Sequence, residues 1–83
     1  MTHSHIVVAD GDPQSRAVLT WLLRERGYVV DACDAPEALN RAVREREPDL
    51  VVLGFDGPDG QQVLADLGAD PRMADVPVIA AID

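Results

Sequence analysis

The chain has 83 residues with a formal net charge of −8, and its seven basic residues are all arginine. That length allows one domain at most, and the negative balance argues against nucleic acid or an anionic membrane surface as partner, because both repel net negative charge. No apolar run approaches the roughly 20 residues that span a bilayer, the N-terminus lacks the pattern of a signal peptide, and the single cysteine, Cys33, excludes an intrachain disulfide and suits a reducing, cytoplasmic setting.

His3 and His5 are read as a mobile tail leading into the first strand, with weak metal binding as the alternative. Ile6-Val7-Val8-Ala9 is a continuous apolar run that stops at Asp10-Gly11-Asp12-Pro13, which predicts a strand covered on both faces. Asp12 suits an N-cap and Pro13 an N1 position, so a helix is expected to begin there. Ala17, Val18, Trp21, Leu22 and Leu23 supply its inward stripe, and Gly27 its stop. Tyr28 to Cys33 reads as the second strand. Asp34 with Glu37 resembles a capping box for a second helix carrying Ala38, Leu39, Ala42 and Val43 inward and ending before Pro48.

Leu50 to Leu53 is the third buried strand. Gly54 to Gly60 is expected to be a loop, Gln61 to Leu67 a short third helix, Gly68 to Asp75 a polar connection, and Val76 to Ile82 a fourth strand with Pro77 near its start. Strands alternating with helices predict a parallel α/β sheet with helices on both faces and right-handed crossovers.

These strings, in this order, resemble the receiver domain of response regulators. The resemblance is carried by Val7 to Arg16, Leu22 to Val30, Asp34 to Leu39, Pro48 to Leu53, and Asp59 through Ile79. It implies a flavodoxin-like (CheY-like) three-layer α/β/α fold with strand order 2-1-3-4, covering residues 1–83 as one partial domain that lacks a fifth strand and the last helices. It also implies a chemistry. A receiver takes a phosphoryl group onto an aspartate at the end of strand three, holds Mg²⁺ with acids after strand one, and contacts the phosphoryl oxygens with a hydroxyl after strand four and a lysine after strand five.

Measured against that pattern, the acceptor position holds Gly54, the direct metal-ligand position holds Gly11, the hydroxyl position holds Ile82, and the chain contains no lysine. The resemblance therefore implies a pseudo-receiver that signals through protein–protein association and is not an enzyme. Asp56, two residues past the acceptor position, is the displaced candidate for a phosphorylation that persists. Asp10, Asp12 and Asp56 are weak candidates for Mg²⁺, and no other cofactor is expected. Asp12, Asp56 and Asp59 are otherwise accounted for as cap and turn residues.

Without strand five, strand four is an edge, and Val78-Ile79-Ala80-Ala81-Ile82 is an apolar, uncharged template for a protein partner or a second copy. The expected alternatives are a fragment of a longer protein or pairing of copies, with apolar surface left uncovered near Trp21. Two other readings use the same residues. Asp10-Gly11-Asp12 after an apolar strand also resembles the nucleophile motif of haloacid-dehalogenase-type phosphatases, with Asp10 attacking phosphate and Asp12 as acid/base. A cobalamin-binding flavodoxin-like domain is disfavoured because no histidine follows Asp10 at the cobalt-ligand position.

Overall fold

In the computed structural model, residues 4–55 and 57–80 are described. The order is β1 (His5–Asp10), α1 (Pro13–Glu25), β2 (Val29–Cys33), α2 (Pro36–Arg46), β3 (Leu50–Gly54), α3 (Gly57–Ala69), a single 3₁₀ turn (Pro71–Met73) and β4 (Val78–Ala80). The four strands form one parallel sheet in the order β2-β1-β3-β4, the arrangement of a flavodoxin-like α/β fold. β1 and β3 are central, which explains their unbroken apolar runs: Val7, Val8, Ala9 and Val51 are fully sequestered.

The two faces of the sheet are unequally covered. On one face, Val7, Ala9, Cys33, Val51 and Leu53 pack with Leu39 and Val43 of α2, Val63 and Leu67 of α3, and Met73 of the 3₁₀ turn. On the other, the buried cluster is only Ile6, Val8 and Val30, with Leu19 and Leu23 of α1 laid against it and Leu50 and Val52 partly covered. α1 rests on β1 and β2. One helix therefore roofs half a face that is four strands wide.

Several boundaries differ from the sequence reading, each for a physical reason. α3 starts at Gly57, so most of the expected Gly54–Gly60 loop is the last strand residue plus the first helical turn. Pro58 sits where its missing N–H has no intrahelical partner to lose. The N-cap of α2 is Ala35, without a side-chain cap, so Asp34 is not a capping-box residue; Pro36 occupies the first helical position. α2 ends on Glu47 in the left-handed region, φ 46°.

His5 is not tail. It opens β1, and its Nε2 lies 2.6 Å from Asp31 Oδ2. On α1 the inward stripe is Leu19, Thr20 and Leu23, whereas Val18, Trp21 and Leu22 are exposed. Both sides of this helix are apolar, so periodicity alone does not say which faces the sheet. β4 is described over Val78–Ala80 only, and its expected extension through Ala81 and Ile82 lies outside the described residues.

Candidate functional site

The carboxyl ends of β1 and β3 meet because the parallel register pairs Ile6 with Leu50 and ends by pairing Asp10 with Gly54. This edge of a doubly wound sheet is where such folds place their chemistry. Asp10 is 8% exposed. Its Oδ1 accepts a hydrogen bond from Asp12 N at 2.9 Å, and its backbone carbonyl accepts one from Arg16 Nη1 at 2.9 Å. The turn after β1 is thus tied down from both sides, which fixes where the Asp10 carboxylate points.

It points into the space that a side chain at position 54 would occupy. A Cβ on Gly54 would fall 2.9 Å from Asp10 Cγ and 2.9 Å from Oδ2, closer than real Cβ contacts come. The place of a side chain at position 54 is therefore taken by the Asp10 carboxylate. Gly11 differs. A Cβ there would meet only the Phe55 ring, at an ordinary 3.7 Å. Position 11 has room for an acid, while position 54 does not unless Asp10 moves.

Asp12 caps α1. Its Oδ1 accepts from Gln14 N at 3.1 Å and its Oδ2 from Ser15 Oγ at 3.0 Å. With both oxygens committed to α1, Asp12 is poorly placed either as a metal ligand or as the acid/base of a phosphatase. The expected cation set of Asp10, Asp12 and Asp56 is brought together in the described residues only as Asp10 and Asp12. Among the described residues, no three His, Cys, Asp or Glu side chains converge as a metal site. Octahedral Mg²⁺ is usually held by one or two carboxylates together with waters and substrate oxygens, and of these two acids only Asp10 keeps a carboxylate oxygen outside the hydrogen bonds of the α1 start.

Asp56 and Ile82 lie outside the described residues. Asp59 is exposed in the first turn of α3, away from Asp10 in role as well as in chain position. Cys33 is buried in the α2/α3 core; burial, then the carboxylates of Asp31 and Asp34, push its thiol pKa up, with Arg16 opposing. It is held as the neutral thiol at the carboxyl end of β2, in register with Ala9 and turned into the core.

Sequence reasoning named every acid at this edge but missed the contact that organises it. Asp10 and Gly54 are 44 positions apart, and only the strand pairing makes them neighbours. It also missed that Ile79, offered as part of an edge, is 53% exposed on the sheet face that carries α1, because it pairs with Val52 of that face. Among the described residues no helix is long and apolar enough to cross a membrane.

Comparison with known proteins agrees with this architecture. A family profile described as the response regulator receiver domain matches residues 6–81. The N-terminal domain of a response regulator receiver protein from Methanoculleus marisnigri JR1 is similar at 28% identity and TM-score 0.85, over 95% of this chain and 66% of that one. A response regulator receiver protein from Pseudomonas putida matches at 19% identity and TM-score 0.81, over 100% of this chain and 73% of that one. A mutant of the response regulator MaeR bound to sulfate matches at 20% identity and TM-score 0.77, over 99% and 70%. The chain thus spans about two thirds of the length of these structures. No curated protein matches it.

Proposed function

The chain belongs to the response regulator receiver family, and on that premise we propose that it is a pseudo-receiver: a signal-transduction module that works by protein–protein association, without phosphorylation and without catalysis of its own. The observation that carries this reading is the Asp10–Gly54 contact. Phosphoryl transfer to an aspartate needs a carboxylate at the end of β3 standing free for in-line attack. Here that position has no side chain, and its space holds Asp10. Mg²⁺ is expected to bind weakly at most, through Asp10.

Association has an available surface. β4 lies at one end of the sheet order, and Val78-Ile79-Ala80 carries no charge on a chain of net charge −8. An uncharged edge of this kind pairs readily with another strand, whether a partner's or a further one of the same protein. The lone buried thiol fits a cytoplasmic site of action.

The test is incubation with acetyl phosphate and Mg²⁺ followed by intact-mass measurement. The expected result is an unmodified mass. A stoichiometric phosphoryl adduct would overturn the proposal, and its loss in Asp56→Asn would place the phosphate on the displaced aspartate.

A further inference from the structure

Beside the stripe that packs on the sheet, helix α1 carries a second one. Arg16, Thr20 and Arg24 recur every four residues, so they stand one above another along the helix. With Ala17 and Trp21 they wall a groove of about 580 Å³ that reaches Ala32 of β2. That volume is in the range of small-molecule sites. The groove lies at the β2 end of the sheet order, opposite β4. A strand added beside β4, or a helix laid over β3 and β4, would meet the other flank of α1 and leave this one open.

Thr20 is the unusual member. It lines the groove and is 8% exposed, and its Oγ1 is a buried polar side-chain atom without a hydrogen-bond partner. A threonine inside a helix can give its hydroxyl to a carbonyl three or four residues back, and Thr20 does not. A buried, unpaired hydroxyl is costly. A ligand that pairs with it gains what the free chain forgoes, and a change of χ1 rotamer is the only movement needed to exchange its methyl and hydroxyl positions.

The two arginines are fixed in place by their own chain. Arg16 Nη1 donates to the Asp10 carbonyl at 2.9 Å, and Arg24 Nη2 donates to the Val30 carbonyl at 3.0 Å. Each bond uses one of the five N–H donors of a guanidinium. Among the described residues neither arginine is ion-paired; the paired ones are Arg46 and Arg72. This is also the part of the chain that repels an anion least. Six of the seven arginines fall within residues 13–46 against five acids, whereas the remaining residues carry one arginine and ten acids. Glu25 is the one acid lining the groove and adjoins Arg24, so the Arg16–Thr20 end is the more favourable for negative charge.

We propose that this groove binds a small organic anion, a phosphate or carboxylate carried on a flat apolar body. The charged group lies between Arg16 and Thr20, where a guanidinium donates charge-assisted hydrogen bonds. The flat body lies over Ala17 and the Trp21 ring, which is 61% exposed and supplies an aromatic face. The site is separate from the Asp10–Gly54 corner, so its test and the phosphorylation test fail independently.

The full chain is titrated with phenyl phosphate, benzoate, inorganic phosphate and benzyl alcohol, followed by Trp21 emission and by amide chemical shifts in NMR. Phenyl phosphate or benzoate is expected to saturate with a Kd of about 1 mM or tighter, which is reasonable for so small a ligand. The shifts should be confined to α1 and β2, and the tighter of the two identifies the charged group. Inorganic phosphate and benzyl alcohol, each with half of the recognition, should bind at least about tenfold more weakly. Arg16→Gln should weaken the better ligand by about tenfold or more. Thr20→Val should weaken it by about fivefold while raising the urea midpoint of the free chain, because it removes the unpaired hydroxyl. A helix-stabilising substitution with no bearing on the ligand would move the midpoint alone. No saturation by either anion below about 10 mM, an affinity indifferent to both Arg16→Gln and Thr20→Val, or inorganic phosphate binding as tightly as phenyl phosphate would each overturn the proposal.

Discussion

Gly11 and Gly54 lie at the same end of the sheet, but side chains added at the two positions would meet physically different surroundings. At position 11 a side chain would enter open space beside Phe55, and at position 54 it would enter Asp10. Gly11→Asp should therefore leave stability within about 0.5 kcal/mol, as surface changes usually do. Gly54→Asp adds volume and a second carboxylate to a filled, largely buried corner. It should cost about 1–3 kcal/mol from overpacking, with like-charge repulsion adding to this at neutral pH. Urea midpoints of the single variants and of Gly54→Asp in an Asp10→Ala background check the argument. The cost should shrink markedly when Asp10 is truncated, because residues in contact are coupled. An equal cost in both backgrounds would mean that Asp10 does not fill the position. None of this is visible in the linear sequence: the glycines can be read there, but the difference between an empty place and an occupied one depends on the β1–β3 register.

At the scale of elements, α3 shows how turn-forming residues mislead. Gly57-Pro58-Asp59-Gly60 has the composition of a loop, yet it is the first turn of a helix. Gly57 takes a positive φ of 63°, which glycine tolerates. Gly60 is buried so close to Phe55 that a Cβ would fall 2.2 Å from its carbonyl oxygen. Backbone cannot yield as a side chain tip does, so Gly60→Ala should cost about 3 kcal/mol or more, at the severe end for single substitutions. Gly68 lies in the same helix with nothing within 4 Å of its would-be Cβ. Gly68→Ala should therefore stabilise by roughly 0.5–1 kcal/mol through helix propensity. Denaturant unfolding followed by far-ultraviolet circular dichroism measures both, and opposite signs are expected. The strands were far more legible than this helix start, because a doubly covered strand writes itself as an unbroken apolar run. The inward face of α1 was not legible, because Val18, Trp21 and Leu22 satisfy a helical period as well as Leu19 and Leu23 do.

At the scale of the molecule, the core is lopsided. Among the described residues, ten buried ones gather on the α2/α3 face and three on the α1 face. Within these residues, burial therefore weighs on the α2/α3 face. Leu39 of α2 is fully buried there, so Leu39→Ala should cost about 2–5 kcal/mol. Trp21→Glu, at a position on α1 that is 61% exposed, should stay within about 0.5 kcal/mol, as surface changes usually do. Urea midpoints of the two variants check the contrast, and comparable losses would mean that the α1 face carries as much of the fold as the other.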